Sequence, residues 1–173
     1  MRHSTIHTMS SDRPASAGAT FSAILTLPFG GLGVRADRRC ILELVFLPPG
    51  TRAIAPDTPL AERAATQLLA WIDDPDRPFD LPLAERGTPF QRRVWTAISA
   101  IPRGTHRTYG EIAGGMNSAA RAVGQACGAN PFPIVVPCHR VVAAGGSLGG
   151  FANSTGGYLL DTKRWLLQFE AGR

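Results

Sequence analysis

Cysteine is scarce in this chain: Cys40, Cys127 and Cys138 are the only three in 173 residues. Odd in number and far apart, they exclude a self-contained disulfide framework and any Cys-x-x-Cys metal site. A reducing cytoplasm is the expected setting. Long apolar runs are missing as well. No stretch approaches the ~20 residues that span a bilayer, so no membrane association is expected. Residues 1–18, rich in Ser, Thr, His and Ala, lack the apolar middle of a secretion signal and are expected to form a disordered tail, with Met9 a candidate start. The histidines give no metal spacing, since His3 and His7 fall in that tail and His106 is isolated. No metal and no cofactor are expected.

Acidic residues are rare where basic ones are dense. Between Arg86 and Arg140 stand seven arginines and one acid, Glu111, a net +6 in a chain of net charge +5. Residues 1–85 carry −2 and residues 141–173 carry +1. The middle third is therefore the electrostatic footprint for a polyanion, although an arginine-rich solvated surface would have the same charge.

Residues 21–27 and 40–47 lean toward strand, with Pro28-Phe29-Gly30-Gly31 and Asp37-Arg38-Arg39 as turn signals. Residues 58–73 read as a helix opened by Asp57 or Thr58, with Leu60, Ala64, Leu68, Leu69 and Ile72 on its apolar face. A boundary near Arg86 divides a first lobe, 19–85, expected to serve packing, from a second, 86–173. There Thr88 is placed as a helix cap, with Pro89 in the first turn and Phe90, Val94, Trp95, Ala97 and Ile98 as the apolar stripe. Residues 109–116 form a short helix, and Ser118 is expected to cap another over 119–127. Such a pair is a helix-turn-helix pattern, which serves packing as readily as DNA binding. Its second helix exposes Arg121 among Ala119, Ala120, Ala122 and Gly124, small residues that let a nucleic-acid surface approach. Cys127 and Cys40 are read as packing residues.

The segment Ile134-Val135-Val136-Pro137-Cys138-His139-Arg140-Val141-Val142 sets one cysteine beside two cation-capable side chains. Neighbouring positive charge favours thiolate, which makes Cys138 a candidate low-pKa nucleophile. A buried strand with Cys138 as a small hydrophobe fits the same residues. Cys138 and His139 can cooperate only if the backbone turns between them, because adjacent residues of a regular strand face opposite ways. Pro137 makes such a turn credible.

Around this segment, in order, stand Gly87-Thr88-Pro89-Phe90-Gln91, Val94-Trp95, Ile101-Pro102, Thr108-Tyr109-Gly110-Glu111-Ile112-Ala113, Arg121-Ala122-Val123-Gly124, Asn130-Pro131, and then Lys163-Arg164-Trp165-Leu166-Leu167 with Glu170. Together they resemble the O6-alkylguanine-DNA alkyltransferases over roughly half the chain, 87–170. The resemblance implies an α/β architecture of the α+β kind: a ribonuclease-H-like first lobe, then a mostly helical lobe with the helix-turn-helix. It implies irreversible transfer of an alkyl group from guanine O6, or less efficiently thymine O4, in double-stranded DNA, by a monomer that contacts the minor groove and flips the base. Cys138 would be the acceptor, activated through His139, a water and Glu170. Asn130 would be the hinge, Tyr109 would rotate the phosphate and donate to the base, and Arg121 would fill the vacated space. Thr108, Ala119, Ala122 and Gly124 would contact DNA. Arg140, Val141, Phe151, Ala152 and Lys163 would form the guanine pocket.

Three departures from the family pattern stand out. Only seven residues separate Ala113 from Arg121 where nine are usual, which shortens the helix-turn-helix joint. Phe151 stands where many members carry tyrosine. Residues 152–155 lengthen the pocket loop, which would widen or weaken the pocket. A damage sensor without transfer is the alternative reading, and a Cys-His hydrolase a more distant one.

Overall fold

The computed structural model describes residues 20–172. The tail expected over 1–18, with Met9, lies outside them. Three strands, β1 (Ala23–Leu27), β2 (Gly30–Ala36) and β3 (Ile41–Leu47), form an antiparallel sheet in the order β1-β2-β3. β2 begins within the Gly30-Gly31 turn signal, so that signal marks a tight hairpin, not a long connection. The helix α1 (Pro59–Asp73) packs on the sheet, opened by the Thr58 side chain, which accepts from the Ala61 N–H at 3.1 Å. Its buried face consists of Ala61, Ala64, Ala65, Leu68 and Trp71. Leu69, expected on that face, is 48% exposed, because the alanines let the helix settle about one residue round from the predicted stripe. Cys40, expected in a strand, lies instead in the Asp37 turn before β3, half-buried, and its N–H donates to Asp37 Oδ1 at 2.8 Å.

The helix α2 (Pro89–Ser99) opens with a full capping box: Thr88 accepts from the Gln91 N–H while the Gln91 side chain accepts from the Thr88 N–H. The helix-turn-helix follows as α3 (Tyr109–Gly115) and α4 (Ala120–Gly128). Thr108 caps α3 by a second capping box with Glu111. Ser118 does not cap α4. That place falls to Ala119, which offers no side-chain acceptor. Asn117, at φ 52°, turns the shortened joint through the left-handed region, where asparagine is tolerated. Two short strands, β4 (Arg107–Thr108) and β5 (Val141–Val142), pair in parallel, and α5 (Gly157–Ala171) closes the chain.

Two apolar cores result. One joins the sheet and α1 to Phe132, Ile134, Phe151 and Leu166, with Trp165 stacked on Phe169 at 4.7 Å and Phe151 against Phe46 at 5.3 Å. The other lies between α2, α3 and α4 and includes Cys138 and Val141. β3 does more than fill the first core: the Leu44 N–H donates to the Pro131 carbonyl at 2.8 Å, fixing the segment that leads to the cysteine.

Candidate active site

The 134–142 run is not one continuous strand: only Val141–Val142, β5, is a paired strand. Ile134 sits at φ 75°, an unfavourable place for a β-branched residue that its burial among apolar neighbours holds. Pro137 (φ −80°, ψ 64°) centres an inverse γ-turn closed by the Cys138 N–H to the Val136 carbonyl at 2.8 Å. A single 3-10 turn, Cys138–Arg140, follows. The backbone thus turns where cooperation between Cys138 and His139 requires it.

Cys138 lies at the buried end of a cavity of about 470 Å³ walled by α4 and the loop after β5. Asn130 holds it: the Asn130 amide donates to Cys138 Sγ at 3.1 Å and to the Val136 carbonyl at 2.9 Å, while its oxygen accepts from the Phe132 N–H. Cys127, read from sequence as a packing residue, is half-buried and walls the same cavity as Cys138. The expected low thiol pKa is not found. Cys127 and burial push the Cys138 thiol well up, against the opposing pull of the Asn130 amide and the Lys163 charge. The neighbouring cations do not reverse this, because burial keeps His139 neutral and Arg140 is engaged elsewhere. These surroundings favour the Cys138 thiol over its thiolate.

Behind the cysteine stands a buried triad. His139 Nε2 is 2.9 Å from Glu170 Oε1, a close approach though not aligned for a hydrogen bond, and Nδ1 has no protein partner. Arg140 grips Glu170 with a fork, Nε to Oε2 at 3.0 Å and a terminal nitrogen to Oε1 at 2.7 Å, and donates to the Ile101 carbonyl. Burial would raise the Glu170 pKa, but His139 and Arg140 outweigh it and hold the carboxyl down at about 2. Burial depresses the His139 pKa despite Glu170. A neutral imidazole beside a fixed carboxylate can take up a proton and have its charge stabilised.

Lys163, the only lysine in the chain, is fully buried. Its ammonium donates to the carbonyls of Val141, Leu148 and Gly150 at 2.7, 2.6 and 2.9 Å and lies 3.4 Å from the Tyr109 hydroxyl. Desolvation lowers its pKa to about 8. The Tyr109 hydroxyl donates to Gly150 O at 3.1 Å, and burial raises its pKa, so it stays protonated. Gly149, at φ 68°, must be glycine here: a Cβ would come 2.9 Å from the Tyr109 ring.

Of the residues singled out from sequence, Tyr109, Arg121, Gly124, Cys138, Phe151 and Ala152 line the cavity. Arg121 is exposed at its rim. Asn130, His139, Arg140, Val141, Lys163 and Glu170 stand behind that wall, and Thr108, Ala119 and Ala122 lie outside it. Gln125, Gly128 and Gly150 also line it and were missed by the sequence reading, while Ala120 was expected only to let DNA approach, Cys127 only to pack, and Asn153, Ser154 and Thr155 only to lengthen the pocket loop. The helical spacing 120, 121, 124, 125, 128 was the available signal, since these positions share one face.

A thiol in the wall of such a cavity, with a helix-turn-helix as another wall, defines a helix-turn-helix protein with a cysteine site. Comparisons with known proteins narrow this. The family described as "6-O-methylguanine DNA methyltransferase, DNA binding domain" matches residues 89–172. A methylated-DNA–protein-cysteine methyltransferase of Methanosarcina acetivorans is 38% identical over 157 residues, covering 87% of this chain and 97% of that protein. One from Mycobacterium tuberculosis is 43% identical over 154 residues, 88% and 90% of the two chains. A crystal structure of Mycobacterium tuberculosis OGT in complex with DNA superposes with a TM-score of 0.72 at 39% identity, covering 86% of this chain and 91% of that one. The chain belongs to the methylated-DNA–protein-cysteine methyltransferase family.

Proposed function

We propose that this protein repairs double-stranded DNA by moving one alkyl group from guanine O6, or more slowly from thymine O4, to Cys138, once per molecule. The observation that carries the reading is the seat of Cys138 in the wall of a cavity of about 470 Å³, ample for a base with its alkyl group, with the exposed Arg121 also lining it. A base reaches such a site only out of the stack, and the planar Arg121 guanidinium suits the space it leaves. Contact runs through the minor groove.

The Cys138 proton passes toward neutral His139, and Glu170 stabilises the imidazolium that forms. The sulfur attacks the alkyl carbon in line, the carbon–oxygen bond breaks with its electron pair on O6, and the departing guanine takes up one proton from solvent, balanced by the Cys138 proton that His139 releases to solvent. Tyr109, kept protonated, supplies a donor to the base. The product is a thioether with no leaving group for the reverse step, so turnover stops at one. Asn130 is the hinge between α4 and the cysteine, while Lys163, Val141 and Arg140 position the walls. Thr108, Ala119, Ala122 and Gly124 let the helix-turn-helix approach the duplex.

The division near Arg86 into a supporting lobe, 19–85, and an alkyltransferase lobe, 86–173, is supported by the second core, whose buried residues run from Val94 to Val141. Among the described residues no helix is long and apolar enough to cross a membrane. The free cysteines fit a reducing cytoplasm, where we place the protein as a monomer. A damage sensor without transfer is weakened by the retained Cys138 and its supporting triad. The test is a titration of protein against duplex bearing one O6-methylguanine. Loss of the lesion is expected to plateau at one equivalent per protein; no loss would overturn the reading, and loss beyond one equivalent would overturn its single-turnover part.

A further inference from the structure

The lengthened pocket loop is a built turn. Phe151 and Ser154 exchange backbone hydrogen bonds, 2.8 Å from the Phe151 N–H and 2.9 Å from the Ser154 N–H. Between them Ala152 (φ 48°) and Asn153 (φ 62°) both take positive φ, the sign pattern of a two-residue type I′ hairpin. Asparagine tolerates that region; alanine is strained in it. The tip then bonds to the opposite wall: Asn153 Nδ2 donates to the Gly128 carbonyl at 2.9 Å. Gly128 ends α4, so its carbonyl has no partner within the helix. The approach leaves no room for a side chain, since a Cβ on Gly128 would lie 2.0 Å from Asn153 Oδ1. The two walls of the cavity, α4 and the loop, are joined at this point.

We propose that Asn153 is a specificity-determining residue: its bond to Gly128 latches the loop onto α4 and sets the width of the cavity beside Cys138, hence the size of alkyl group the site accepts. The inference rests on the alkyl-transfer reading. A latched loop favours methyl and other small groups. Released, the loop swings from α4 about the flanking Gly149-Gly150 and Gly156-Gly157, and bulkier groups fit.

The experiment compares wild type, Asn153→Asp, Gly128→Ala and the double variant. Aspartate keeps the size and the tolerance of positive φ but loses the donor and faces the carbonyl with a charge. Transfer is timed from duplexes carrying O6-methylguanine or O6-benzylguanine. In parallel, labelling of the Cys138 peptide by iodoacetamide and by N-benzyliodoacetamide is followed by mass spectrometry, which reads cavity width without any transfer. Each single variant is expected to raise both bulky-to-small ratios about three- to tenfold, the range one net hydrogen bond supports. The double variant is expected to add nothing further, because both changes break one contact. Unchanged ratios in Asn153→Asp, or additive effects in the double variant, would overturn the latch. If wild type transfers no methyl group, the alkyl-transfer reading fails and the labelling ratios alone decide the latch.

Discussion

Between the sheet and α1 the interior consists of aliphatic and aromatic side chains, with Ser22 as the one buried polar residue. Between the Cys138 turn and α5 the interior instead takes in His139, Thr162, Lys163 and Glu170, all at most 2% exposed. The first region does what the hydrophobic effect alone requires. The second accepts the desolvation of three ionisable groups, which stability by itself does not call for. That difference separates the sheet region, built for packing, from the region behind Cys138. The sheet still shapes the site, because Phe46 backs Phe151 and Leu44 holds Pro131.

The comparison is tested most severely by matched losses of stability. Glu170→Ala leaves Arg140 buried without its carboxylate and is expected to cost about 3–5 kcal/mol. Leu32→Ala, in the first core, is expected to cost about 2–5 kcal/mol. Assayed at a temperature where both remain folded by circular dichroism, only Glu170→Ala should lose transfer. Loss of transfer in folded Leu32→Ala would erase the distinction between the regions.

A smaller effect of about 3 kcal/mol is expected from pH. Glu170 has its pKa depressed from 4.5 to about 2. Its contribution is fully present above the unfolded value and is lost as pH falls from about 4.5 toward 2, at about 1.4 kcal/mol per unit. Urea unfolding across that window should show an acid limb that Glu170→Gln weakens. An identical limb in the variant would place the titrating group elsewhere.

Arg121→Ala is expected to weaken binding to undamaged duplex by about 1–3 kcal/mol without moving the melting temperature, since the side chain is exposed. Wild-type affinity should also fall steeply with salt, as the arginines displace counterions. Equal affinities at low and high salt would contradict an electrostatic footprint. The smallest expected effect is that of Thr88→Ala, about 1 kcal/mol from one capping box, with transfer per folded molecule unchanged.

Local signals carried much of this molecule. Thr58 and Thr88 cap helices as expected, because a side-chain oxygen facing the first-turn amides is a short-range property, legible three residues at a time; Thr108, expected only to contact DNA, caps α3 as well. The order of motifs from Gly87 to Glu170 identified the resemblance. Tertiary context decided the rest. The Cys138 pKa could not be read from its neighbours in sequence, because Glu170, thirty residues away, captures Arg140 and the approach of Cys127 opposes ionisation. Lys163, expected at the pocket, stands behind it, drawn inward by the carbonyls of Val141, Leu148 and Gly150, all more than twelve residues away in sequence. Leu69 faces solvent because Ala61 and Ala65 let α1 sit closer on another face.

The most direct measurement is intact and peptide mass spectrometry of the protein mixed with duplex DNA containing one O6-methylguanine, beside a Cys138→Ala control. One methyl group per molecule, found on the Cys138 peptide and absent from the control, is the predicted result. Binding to the duplex with no mass gain, or a methyl group on Cys127 in place of Cys138, would contradict transfer to the buried thiol.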